Sequence, residues 1–108
     1  MNESKNIKII VFVPETHANA VRDAIANAGG GRIGNYTHCS FSAKGIGQFK
    51  PQERARPFIG EMGKLESVAE ERIEFVCDKA IMKDVIAAIK KVHPYEEVAL
   101  DIYPLLEE

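Results

Sequence analysis

The sequence predicts an α+β sandwich: one four-stranded antiparallel sheet with two helices on one face. Three observations predict it. Four short segments are apolar runs or alternate with period two, as strands do. Two segments repeat apolar residues every three or four positions, as amphipathic helices do. The six follow in the order strand–helix–strand–strand–helix–strand, which folds as a split βαβ pair around one core.

The first strand is "IKIIVFV", Ile7–Val13, a β-branched run that reads as central and covered on both sides. Pro14 ends it. From about Glu15 to Ala28, the residues Ala18, Val21, Ile25 and Ala28 form one helical face, with Thr16 as the expected N-cap. Gly29–Gly31 supplies the stop. "NYTHCSFSA", Asn35–Ala43, alternates and predicts the second strand. Thr37, Cys39 and Phe41 point one way, and Tyr36 and His38 the other. "EERIEFVCD", Glu70–Asp78, predicts the third strand, and Asp78 is placed to cap the second helix. "KAIMKDVIAAIKKVH" carries Ile81, Val85, Ala88, Ile89 and Val92 on one helical face, with Lys90 and Lys91 suiting its C-terminal dipole. Pro94 stops it, and Glu97–Tyr103 predicts the fourth strand. This pattern is the ferredoxin-like βαββαβ sandwich.

A chain of 108 residues, 45% apolar, fits one domain over 1–108 and argues against disorder. Net charge is −2 with no basic block, so no nucleic-acid partner is expected. No apolar run reaches the ~20 residues of a membrane helix, and "MNESKN" lacks a signal-peptide core. With two distant cysteines, Cys39 and Cys77, the expectation is a cytoplasmic protein with thiols buried on the helix-facing side.

Helices cover one sheet face only. The other is expected to show Ile10, Phe12, Tyr36, Val76, Ala99 and Tyr103, an apolar patch suited to a homo-oligomer. The Gly- and Pro-rich connection from Gly45 to Leu65 is long for a loop, and such loops are often functional. Arg54 and Arg56, with Glu61, make it a candidate contact for an anion or a protein partner. "HPYEE", His93–Glu97, is first a helix-to-strand junction. Its second reading takes His93 and Glu96 as ligands of a divalent metal ion, with His38 as third donor. Tyr36 and Tyr95 complete the candidate ligand contacts. No phosphate-binding glycine loop is present.

Three stretches together resemble one family: "GGGRIGNYTHCSF", "GIGQFKPQERARPFIGEMGKLESVAEERIEFV" and "HPYEEVALDIYPL". They resemble the domain inserted in the middle of many bacterial Nif-three-like proteins, often called GTP cyclohydrolase 1 type 2 homologues. The resemblance implies a PII-like or CutA-like version of the sandwich, assembled as a trimer through its sheets. It also implies that the family's dinuclear metal site lies in flanking segments this chain lacks. The expectation is a free-standing accessory domain, not an enzyme: an oligomeric module that binds a small ligand, a divalent metal or a protein partner. The alternative is a metal-dependent enzyme or metal-handling protein with its site at the subunit interface.

Overall fold

The computed structural model describes all 108 residues. Its strands are β1 (Asn2–Pro14), β2 (Phe41–Phe49), β3 (Glu66–Asp78) and β4 (Leu100–Glu107). Its helices are α1 (Ala18–Asn27) and α2 (Met82–Val92), each entered through a 3₁₀ turn, Glu15–His17 and Lys79–Ile81. All pairings are antiparallel and the strand order is β2-β3-β1-β4. This is the ferredoxin-like sandwich that the element order predicts. No helix is long and apolar enough to cross a membrane.

The core lies between the sheet and the helix pair. Ile7, Ile9, Val11 and Val13 of β1 meet Ile73, Phe75 and Cys77 of β3, with Val21 and Ile25 of α1 and Val85 and Ile89 of α2 above them. Val98 and Leu100 pack at its margin, half-buried. Register explains the selection. Val11 stands opposite Ile73 and Leu100, and Ile9 opposite Phe75 and Ile102, so one face of three strands is apolar in step. Arg22 of α1 fastens the helix layer to the sheet by donating to Glu71 Oε1 at 2.6 Å and Ser42 Oγ at 3.1 Å.

Several local expectations are corrected, and Ile10, expected to show on the open face, is fully buried. The second strand starts at Phe41 and continues to Phe49, instead of covering Asn35–Ala43. Residues 32–40 form an excursion pinned at its base, where the Gly31 amide bonds Val76 O and the Cys39 amide bonds Gly31 O. At its tip Ile33 and Tyr36 exchange both backbone hydrogen bonds around Gly34 and Asn35. Cys39 is therefore outside the sheet and half-buried, while Cys77 alone is in the core. Phe41 faces away from the helices, opposite Glu74, and is 68% exposed. Tyr36 likewise lies outside the sheet.

Thr16 does not cap α1; its hydroxyl lies 2.8 Å from His17 Nδ1, and the helix begins through the 3₁₀ turn. Asp78 does cap, accepting the Ala80 amide at 2.9 Å. The fourth strand starts at Leu100 and runs on through Pro104 to Glu107. β4 is an edge strand, where a missing N–H costs no ladder bond.

Candidate functional site

The loop of residues 50–65 folds back over one end of the outer sheet face and leaves a cavity of about 370 Å³. Its floor is Glu70 of β3 and Gly47 of β2. Its walls are Phe49, the loop residues Pro51 and Pro57–Ile59, and the Tyr95–Glu97 segment.

The wall formed by "HPYEE" is built from the end of α2. Pro94 offers no amide to continue the helix and pushes the residue before it into extended backbone, so His93 takes φ −73° and ψ 133°. Its ring then turns beneath β1. His93 is 6% exposed. Nδ1 accepts the Tyr95 amide at 3.1 Å, which leaves the ring proton on Nε2, donated to Phe12 O at 2.7 Å. β4 pairing ends at Leu100, so Phe12 O has no strand partner on that side, and the imidazole replaces one. The Phe12 amide is held in turn by Ala99 O at 3.1 Å. Burial holds the His93 pKa below the usual imidazole value, against the opposing pull of the Phe12 bond and the Glu70 charge.

Tyr95 stands next to it, 5.2 Å from the His93 ring, 5.7 Å from Phe49 and 6.5 Å from Phe58 between centroids. Its hydroxyl donates to Glu70 Oε2 at 3.1 Å. Burial chiefly, then that bond and the carboxylate's charge, push the phenol pKa well above its normal range, so Tyr95 remains a donor. Glu70 is 9% exposed, and its other oxygen, Oε1, has no protein donor. That oxygen occupies the space a side chain would take at position 47: a Cβ on Gly47 would run into it. Glu96 closes the rim, its Oε1 accepting the Arg56 amide at 2.6 Å and tying the loop to the junction. Phe58 reaches further and meets the His17 ring edge-on at 5.4 Å.

Of the residues singled out in the sequence, Tyr95 and Glu96 line the cavity, and His93 positions Tyr95 from behind. Arg56 contributes its backbone; the guanidinium groups of Arg54 and Arg56 are exposed and unpaired. Glu61 is exposed and paired with Lys64 at 3.2 Å. Tyr36 and His38 lie on the 32–40 excursion; His38 is exposed, at φ 63°, with Nδ1 2.9 Å from Thr37 Oγ1. No three His, Cys, Asp or Glu side chains converge within the protomer to hold a metal ion. Glu70 and Gly47 were not anticipated in this lining. The one available signal was Gly45-x-Gly47, since glycine inside a strand marks a close approach.

No family model matches the sequence. The fold places the chain first in a class, the CutA-like sandwiches. The divalent cation tolerance protein CutA1 from Thermus thermophilus superposes with a TM-score of 0.67 at 14% identity, covering 95% of this chain and 86% of that one. That likeness is one of fold alone. Sequence narrows the class to a family. The GTP cyclohydrolase 1 type 2 homolog of Bacillus subtilis is 56% identical over 98 residues, which are 91% of this chain and 26% of that protein. Its Mycobacterium tuberculosis counterpart is 46% identical over 99 residues, again 26% of its length. A Bacillus cereus protein related to NIF3 superposes with a TM-score of 0.81 at 49% identity, covering 96% of this chain and 26% of that one. Over nearly its whole length the chain matches one segment of these Nif-three-related proteins. It spans about a quarter of the length of the curated relatives it matches.

Proposed function

We propose that this domain is a non-catalytic binding module of the cytoplasm that assembles as a homotrimer and holds a small ligand in the cavity over Glu70 and Tyr95. The observation that carries the reading is Glu70: a largely buried carboxylate in the lining of a cavity of ligand size, with one oxygen satisfied by Tyr95 and the other, packed over Gly47, without a protein donor and still open to solvent. No histidine or cysteine lines that cavity, and His93 nearby spends both nitrogens on backbone. The one hydroxyl–carboxylate pair there is Tyr95 on Glu70, and the raised phenol pKa keeps Tyr95 protonated instead of activating it as a nucleophile.

The open sheet edges support the oligomer. β2 carries Phe41 and Ile46, the latter 77% exposed, and β4 carries Tyr103 and Leu106. Unpaired edges with apolar side chains invite a neighbouring copy, and a β2-to-β4 contact that repeats head to tail closes into a ring. The 50–65 loop, with Arg54 and Arg56 free, is where a second subunit or a protein partner would meet the cavity. The cyclohydrolase name belongs to proteins about three and a half times as long, and that activity is not transferred to this chain.

Light scattering behind size exclusion should give a mass near three times the 12.0-kDa protomer, and a monomer would overturn the trimer. A thermal-shift screen of amines, nucleotides, carboxylates and divalent metals tests the binding reading. A ligand at a hundred times its Kd adds about 2.7 kcal/mol, several degrees for a domain of this size. A screen in which nothing stabilises the wild type would sink it.

A further inference from the structure

The cavity also carries information about the charge of its occupant. Glu70 forms no ion pair within the protein, and its free oxygen lies in the space left by Gly47. The chain offers this largely buried carboxylate only the Tyr95 hydroxyl, and its other oxygen keeps contact with the open space beside it, where a cationic donor can reach it. Glu96 and Glu97 add two more carboxylates at the rim, against a single lysine, Lys50, which is exposed. The rings of Phe49, Phe58 and Tyr95 stand around the same space. Aromatic faces attract cations, and a carboxylate accepts the N–H donors an organic cation carries. Tyr95 keeps its proton and holds Glu70 Oε2, leaving Oε1 as the acceptor.

We propose that the cavity binds a small organic cation with N–H donors, an alkylammonium or a guanidinium, which pairs with Glu70 Oε1 and packs against Phe49, Phe58 and Tyr95. This deepens the binding-module reading and rests on it. The same group could be a free amine or an arginine offered by a neighbouring copy of this chain, and the test separates them.

The full chain is titrated calorimetrically with putrescine, agmatine and methylguanidine, with 1-butanol, guanosine and zinc as controls. At least one cation should bind, and its affinity should fall as salt rises. Glu70→Gln, checked for folding by circular dichroism, should weaken binding by about tenfold. Gly47→Ala, which crowds the same oxygen from the other strand, should weaken it too. Lys50→Gln should bind cations more tightly, because it removes the opposing charge; this gain does not depend on a damaged variant. The double variant Arg54→Ala/Arg56→Ala should bind as the wild type does. Much tighter binding there would mean that a neighbour's arginine fills the site, and would overturn the free-ligand assignment. Equal affinity of Glu70→Gln and wild type would overturn the proposal, as would preference for guanosine, zinc or the neutral alcohol. If one of these controls binds in a Glu70-dependent way, only the cation assignment fails. If nothing in this set binds, the cation assignment is overturned, and the module reading stands or falls on the wider thermal-shift screen.

Discussion

The two faces of the sheet are built on different terms. Behind it, the core under α1 and α2 is hydrophobic throughout, and its stability comes from area removed from water, at roughly 25 cal/mol per Å². In front, at the loop end, hydrogen bonds set the geometry: His93 on Phe12 O, Tyr95 on Glu70, Glu96 on the Arg56 amide. Damage to the back face should therefore scale with lost volume and ignore pH. Damage to the front should scale with the number of buried polar groups left unpaired, and should change how stability responds to pH.

The largest effect sharpens the first half of that contrast. Ile9→Ala removes a fully buried side chain and should cost ~3–4 kcal/mol in urea unfolding, equally at pH 5.5 and 7.5. His93→Ala comes next, at about 2–3 kcal/mol, because Phe12 O and the Tyr95 amide both lose their partner.

His93 also sets a pH signature. Its folded pKa lies below its unfolded value, so as pH falls below about 6.5 the unfolded chain takes up a proton that the folded chain resists. Stability from this group is fully present above that pH and is lost as pH falls through the folded pKa. His93→Gln should flatten the acid slope between pH 7 and 5. An unchanged slope would break the contrast between the faces.

Tyr95→Phe should be milder, about 1 kcal/mol at neutral pH. Its sign is opposite on the pH axis. The folded phenol pKa is raised, so wild type should lose stability above roughly pH 10, where the unfolded tyrosine ionises first, and Tyr95→Phe should lose less. The smallest effect belongs to Thr16→Ala, within ~0.5 kcal/mol, because Thr16 caps nothing.

The back face was legible in the sequence because burial on one side imposes a period. Ile7, Ile9, Val11 and Val13, and Val85 and Ile89, read correctly for that reason. β2 was misplaced because it is an edge strand lined by exposed residues, and a strand without a buried face has no alternation to read. The stretch "NYTHCSFSA" straddles two structures: residues 35–40 belong to the excursion, and only Phe41, Ser42 and Ala43 to β2. At the front, Pro94 announced the junction from local chemistry alone. The pairing of Tyr95 with Glu70 did not show, because 25 residues separate them and Glu70 is one of many charges along β3. Tertiary pairing of polar groups leaves no periodic trace, so half of the cavity had to come from the structure.

The central claim is that the loop-covered end of the front face is where this domain meets its ligand. The most direct measurement is a ¹H–¹⁵N NMR titration of the full chain with agmatine. The account predicts that the largest amide shifts fall on Gly47, Phe49, Phe58, Tyr95 and Ala99. Shifts centred on His38 and the 32–40 excursion, or a spectrum that does not move, would contradict it.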